Sequence, residues 1–474
     1  MNPILPLLLL ALLPLPGSTP FGAPTTMGVE PGDPGSAQRE FLVQPDPRGS
    51  LVAVTLLFPD GAARDPQGRE GTTHLLGRWL EGEAGRRVAD LGAAVTVEVT
   101  RDDVLMTLLA PPAAWQVALD RVEGVLSASP STMGDLERIR EEHRARLVFE
   151  GGAPVRIFEL ERTRLLAGPN GSQVRPIRGT PESVARIVSD DLESHLRSYL
   201  GVADALTVVV GPVAPGDVQG RTGIQPRVVS AVTPFTERSA QATSAVTSRA
   251  PTPAEHLAPD TAGLSQIPAP LRTRLLRAPG PTPDPPPLTG ARAWDSPDRV
   301  AVDMELTAAW MAVAWAFPAD ASSTLLQFLA HNLLETLVPS PPDPGLYGAD
   351  VQVTSIDGRP VVIASLTADP RAAGRWEGRV ASAMEALAEA PPQGSFFELT
   401  RRRFRNQTLL AMSDPAERSR RLARDHRGAG ELEEFGRILW QLSPEALAAA
   451  ATAAAPPRTF VLGPLEMIQR GPGR

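Results

Sequence analysis

The 474 residues hold no cysteine and no lysine, so any chemistry falls to six histidines, the carboxylates and 46 arginines. That excludes disulfides, thiolate zinc sites, iron–sulfur clusters, cysteine nucleophiles, Schiff-base lysines and phosphate-loop lysines. A metal would need His, Asp or Glu. The first grouping of such residues opens the run His74-Leu75-Leu76-Gly77-Arg78. A second is Glu141-Glu142-His143, where neighbouring helical residues point about 100° apart, so one metal would not readily take both Glu142 and His143. His331 and Glu335 stand four apart on one helical face, a spacing that suits ligands but more often marks a surface pair. Arg401-Arg402-Arg403-Phe404-Arg405 is basic as a string, yet a helix spreads its arginines around the axis and glutamates flank it, which reads as a solvated face.

The elements that must position these residues fall into two halves. A length of 474 suits two or more domains, and 50 prolines with 40 glycines point to unpacked linker. The net charge of −8, without basic clustering, excludes a nucleic-acid footprint. An apolar run from Ile4 to Leu15 is too short to span a bilayer comfortably and reads as a signal-peptide core, although no basic residue precedes it. Residues 1–24 are assigned to a signal peptide or N-terminal anchor, and the protein is expected to be exported, periplasmic or secreted. No other stretch has the length and apolarity of a membrane span. Residues 216–293 are rich in Pro, Ser, Thr and Ala, with little helical or strand periodicity, and read as a linker.

Either side of that linker the same order of elements recurs. Residues 40–215 fit a strand over Leu51–Phe58, a helix from Thr72, a hairpin of Val95–Thr100 and Val104–Leu109, helices over Ala113–Ser127 and Met133–Phe149, a turn-rich stretch, a helix from Thr180 towards Tyr199 and a closing strand, Leu206–Val210. Residues 294–466 fit a strand over Ala309–Phe317, a helix over Ser322–Leu337, strands Gly348–Ser355 and Pro360–Thr367, four further helical stretches and a closing strand, Thr459–Leu462. Strands grouped beside stacked helices, without regular βαβ alternation, predict two homologous α+β domains.

The segment Gly61-Ala-Ala-Arg-Asp-Pro-Gln-Gly-Arg-Glu-Gly-Thr-Thr-His74-Leu-Leu-Gly77-Arg78 resembles the insulinase/pitrilysin family, which includes the mitochondrial processing peptidase. Thr180-Pro-Glu-Ser leading to Leu206-Thr-Val-Val-Val-Gly211, and Ser443-Pro-Glu-Ala leading to Thr459-Phe-Val-Leu-Gly463, look like that family's domain ending given twice. Gly345-Leu346-Tyr347 is similar to its Gly-Leu-x-Tyr element, one residue compressed. The resemblance implies two mostly antiparallel sheets packed with helices and closing as a clamshell.

The family's H-x-x-E-H motif supplies two zinc ligands and a general base, and a glutamate on a later helix completes the metal site. Here only His74 remains of it. Gly77 stands in place of the base and Arg78 in place of the second ligand, a cation that repels zinc. Glu141 or Glu142 is the remaining third-ligand position, with Glu142 favoured, and an Arg78–Glu142 contact could replace the metal. The arginine that precedes the Gly-Leu-x-Tyr element in the family is missing from Pro339–Pro344, leaving Tyr347 alone as a substrate-binding residue.

The resemblance therefore implies a non-catalytic member: no catalytic residue, no metal and no cofactor, with an active zinc-peptidase homologue as heteromeric partner and extended peptides or unfolded segments as ligands, held by backbone pairing at a sheet edge. Two alternatives stay open on sequence alone. One is an atypical active zinc metalloendopeptidase that recruits ligands from elsewhere, the only reading with zinc as cofactor. The other is a stand-alone peptide-binding scaffold.

Overall fold

In the computed structural model, residues 39–127, 135–167, 175–229, 298–338, 343–356, 358–427, 438 and 441–470 are described. The first half begins with β1 (Phe41–Pro45), β2 (Val52–Phe58) and α1 (Thr72–Val88), then the hairpin β3 (Ala94–Val99) and β4 (Val104–Ala110). Helices α2 (Trp115–Leu126), α3 (Leu136–Gly151), α4 (Pro154–Ala167), α5 (Pro181–Ala185) and α6 (Ser189–Tyr199) follow. The half closes with β5 (Leu206–Gly211), α7 (Pro215–Thr222) and β6 (Arg227–Val228).

The second half runs β7 (Asp298–Asp303), β8 (Ala309–Ala316), α8 (Ser323–Leu337), β9 (Leu346–Ile356), β10 (Arg359–Ala368) and α9 (Ala373–Glu389). It ends with α10 (Gly394–Ala411), α11 (Pro415–Arg427), α12 (Pro444–Thr452), β11 (Arg458–Gly463) and α13 (Leu465–Arg470).

The repeat is explicit in the sheets. One has the order β3-β4-β2-β5-β1-β6 and the other β9-β10-β8-β11-β7. Each is antiparallel through its hairpin and has a parallel strand beside its closing one, β1 on β5 and β7 on β11; the first sheet adds β6, also parallel, on β1. Both are α+β, as the grouping of strands and helices predicts. Their matching free ends are β3 and β9, each paired on one side only among the described residues.

Every residue of β2 and of β5 is buried. A strand apolar on both faces needs cover on both. On one face α1, α2 and α6 bury Leu76, Trp79, Leu119 and Leu192 against Val54, Leu56 and Val209. On the other face the cover comes from the second half: α11 packs on β2 and β5, with Ala416, Ser419, Leu422 and Ala423 inward at helical spacing. The exchange is reciprocal. Helix α4 lies on the second sheet, where Phe158 meets Trp310 and Phe460 at ring distances of 5.9 and 5.5 Å. Buried Arg458 donates to the carbonyls of Leu165 and Leu166, both at 3.0 Å, closing the C-terminal turn of α4.

Four sequence readings need correction. The stretch taken as turn-rich after α3 contains α4, whose apolar stripe makes sense only against the other half's sheet. The helix running on from Thr180 breaks into α5 and α6, because Val188 turns extended and its N–H is taken by the Asp191 carboxylate at 2.9 Å, which restarts the helix. The segment 216–293, read as linker, opens with α7 and β6; Val218 is buried and β6 pairs with β1. Its residues 230–293 lie outside the described residues, as do residues 1–24. Strands β1 and β7 were not anticipated at all. Among the described residues no helix is long and apolar enough to cross a membrane.

Candidate functional site

Helix α1 is fastened at its start by a buried carboxylate. Asp65 accepts from the N–H of Gly71 at 2.7 Å, from the N–H of Thr73 at 2.9 Å and from Thr73 Oγ1 at 2.5 Å. The Thr73 hydrogen is thereby spent, so at the 2.7 Å contact His195 Nε2 is the donor and Thr73 Oγ1 the acceptor. Asp65, Thr73 and His195 thus line up, but in the polarity opposite to a nucleophile relay, whose imidazole must accept. Their role is to fix the entry of α1. Burial pushes the Asp65 carboxyl above its usual range and brings the His195 imidazole down to about 4.

One residue further along, His74 faces a cavity between the two halves. Its ring lies 4.8 Å from that of His143, which α3 brings in from the other side. His143 is almost fully buried; its Nε2–H donates to the carbonyl of Arg178 at 2.8 Å, and its Nδ1 has no partner among the described residues. Burial first, then the proximity of His143, Arg178, Arg78 and Arg146, lowers the His74 imidazole to about 3. His74 is neutral at pH 7.

Gly77 is pressed against the edge strand: a Cβ there would stand 2.8 Å from Val99 Cγ2 and 3.2 Å from Val97 Cγ1. The space that a base would need at this position is filled by two valines of β3. Arg78 lies one turn after His74 on the same face, half-buried.

Glu142 is not where the sequence reading puts it. It is exposed and held by Arg138 at 2.7 Å, so the expected Arg78–Glu142 contact does not form. The reason is helical phase. Helix α3 buries Leu136, His143 and Leu147, a stripe at seven- and four-residue steps, and Glu142 is turned about 100° off it. Glu141 is also exposed, beside Arg144 at 3.2 Å.

Tyr347 lies at the start of β9, exposed, where the register with β10 slips between Thr367 and Ala368 and leaves it as the extra residue of a bulge. Thr354 and Ser355, which line the cavity, are seven and eight residues along the same strand, some ~24 Å away at ~3.4 Å per residue. The fold does not bring Tyr347 to His74. His331 and Glu335 do not pair directly: Glu335 pairs with Arg403 at 3.1 Å, while His331 lies 5.6 Å from the Phe404 ring.

These residues do not fit a zinc ion. Two imidazoles face each other, but no carboxylate joins them, and among the described residues no group of three or more His, Asp or Glu converges. The guanidinium of Arg78 takes the second ligand's position, and the cations that depress His74 would oppose a dication equally. Sequence reasoning missed His195, although Asp65 lies in the quoted Asp-Pro element. It also missed the cavity arginines of 156–178, which carry no local signature.

No protein-family model and no curated protein matches the chain. Solved structures do. The peptidase M16 inactive domain from Pseudomonas fluorescens is 14% identical at a TM-score of 0.66, covering 90% of this chain and 96% of that one. A protease from Helicobacter pylori is 12% identical at 0.64, covering 89% and 96%. An M16-like peptidase from Alicyclobacillus acidocaldarius is 14% identical at 0.60, covering 89% and 95%. The chain has the fold of the insulinase-type, or M16, peptidases along nearly its whole described length.

Proposed function

We propose that this protein is an exported, non-catalytic member of the insulinase-type peptidases that binds extended peptides in the cavity between its halves and pairs with an active zinc-bearing homologue. One observation carries the reading: around His74 the base position is a glycine sealed under Val97 and Val99, the second-ligand position is Arg78, and Glu142 is turned outward to Arg138. Hydrolysis needs a polarised water and a group to take its proton, and neither is supplied.

What remains of the architecture suits binding. The free edges of β3 and β9 offer unpaired backbone groups, and both strands contribute to the cavity wall through Val99, Thr354 and Ser355. Strand addition holds many sequences through main-chain hydrogen bonds and requires no metal. Export rests on the apolar run Ile4–Leu15.

Tagged full-length protein recovered from its own cell envelope tests this. The expected result is co-purification of a homologue with an intact H-x-x-E-H, zinc travelling with that partner, and no cleavage of unfolded peptide by this chain alone. Stoichiometric, chelator-sensitive zinc together with cleavage by the isolated chain would instead establish an atypical active peptidase. Peptide binding without any partner would establish a stand-alone scaffold.

A further inference from the structure

The cavity beside His74 has a volume of about 550 Å³, and its wall carries five arginines against two acids, Asp102 and Glu159. Three of those arginines are engaged elsewhere. Arg178 pairs with Glu150 at 2.7 Å, Arg175 with Glu70 at 3.2 Å, and Arg101 donates to the carbonyl of Arg175. Arg156 reaches Glu159 only at 3.7 Å.

Arg162 is different. It projects from α4 between the halves, half-buried, with its guanidinium 5.7 Å from the Phe158 ring centre and one donor on Ser365 Oγ at 3.2 Å. No carboxylate lies within ion-pair distance of it among the described residues. Burial lowers its affinity for its own proton, with Glu159 and Asp350 compensating only from a distance. A guanidinium offers five N–H donors in a planar fork, and with one donor of Arg162 on Ser365 the others are available to an anion entering the cavity.

We propose that the cavity selects an acidic side chain, aspartate or glutamate, from an extended peptide laid along β3, with Arg162 as its main partner and Arg156 beside it. The inference rests on the peptide-binding reading above and adds the chemical class of the ligand. A strand added to β3 presents alternate side chains to one face, and β3 ends at Val99, directly on the cavity wall. His74 adds no charge to the cavity wall, so the arginines set its sign. A carboxylate seated bidentately on Arg162 would satisfy two idle donors and be weakly screened.

The test uses the full-length protein and two fluorescent ten-residue peptides of one Ser/Thr/Val host sequence, carrying either a central Glu-Asp or the isosteric Gln-Asn, titrated by anisotropy. The expected result is tighter binding of the acidic peptide by about tenfold, narrowing as salt rises, with the ratio falling towards one in Arg162→Gln. If Arg162→Gln does not fold, Arg156→Gln is read the same way, with a smaller fall. Equal binding of the two peptides overturns the acidic selection and leaves strand addition standing. A preference that survives both substitutions places it elsewhere and overturns the assignment. Displacement of the acidic peptide by free glutarate at equal concentration makes this a small-anion site and overturns the peptide source. Failure of both peptides to bind removes the peptide-binding reading itself, and this inference with it.

Discussion

Thr55 Oγ1 and Ser419 Oγ lie 2.7 Å apart, fully buried, though 364 residues separate them in sequence. Thr55 is the central residue of β2 and Ser419 is the inward-facing hydroxyl of α11, so this hydrogen bond ties the first sheet to a helix of the second half. Arg418 to Asp46 at 2.7 Å and Arg424 to Glu98 at 2.6 Å flank it on the same helix. With α4 docked reciprocally, each half completes the other's core.

The first prediction follows from that exchange. Ser419→Ala should cost about 1 kcal/mol, because Thr55 keeps Thr107 at 3.1 Å as a second partner. Ser419→Asp should cost about 3 kcal/mol or more, since it buries an unpaired charge between the halves. Urea denaturation of the two variants checks the order, and equal effects would show that the contact is not buried in solution.

Cleavage within residues 230–297 should leave the halves together. The composition of that segment predicts rapid nicking, while α4 and α11 hold the two sheets independently of it. Limited proteolysis followed by sizing chromatography should give one peak containing two fragments. Two separate peaks would contradict the exchanged-helix core.

Rebuilding the motif should fail at Gly77 before it reaches chemistry. Gly77→Ala should cost about 1–3 kcal/mol through overpacking against Val97 and Val99, and Val99→Ala in the same chain should recover part of it. The double change Gly77→Glu, Arg78→His should lower the melting temperature and yield no metal-dependent peptidase, because Glu142 still faces Arg138. Zinc content after dialysis and peptide cleavage read this directly, and cleavage at rates typical of an active peptidase would refute it.

Acid should destabilise the fold well above the carboxylate range. His74 and His195 are lowered to about 3 and about 4 from 6.5, so the unfolded chain binds their protons first and stability rises with pH. Their contribution is fully present above about pH 6.5 and is lost as pH falls towards 4. At pH 5 each should cost about 2 kcal/mol. Below pH 4.5 the lowered carboxylates, such as Glu417 with Arg421 and Arg420, add to the loss, while raised Asp65 opposes it. The loss of stability between pH 7.5 and 5 should shrink by about half in His195→Gln, whose amide can still donate to Thr73, because His74 still titrates.

Asp65→Ala should cost about 2–4 kcal/mol, more than an exposed helix cap, since it strands two N–H groups and the Thr73 hydroxyl in a buried site. Thermal unfolding measures it, and a loss below about 1 kcal/mol would mean that water replaces the carboxylate.

Much of this was open to the sequence alone because it is local. The apolar runs of β2 and β8, the start of α1 at Thr72, the hairpin around Arg101-Asp102-Asp103 and the Ser443-Pro start of α12 each follow from periodicity or capping chemistry within a few residues. Replacement of base and ligand by Gly77 and Arg78 is likewise a matter of side-chain type. Other features depended on which surfaces meet. Helix α4 has Phe158, Leu165 and Leu166 in plain view, but only the second sheet makes them a core stripe. Glu142 and His143 differ by one position, and the burial of Leu136 and Leu147 alone decides which of them points inward. The charge of the cavity comes from arginines on α4 and on 175–178 meeting β9 across the two halves. Sequence fixes what each side chain can do; the helical phase and the exchange of helices between halves decide which of them face one another.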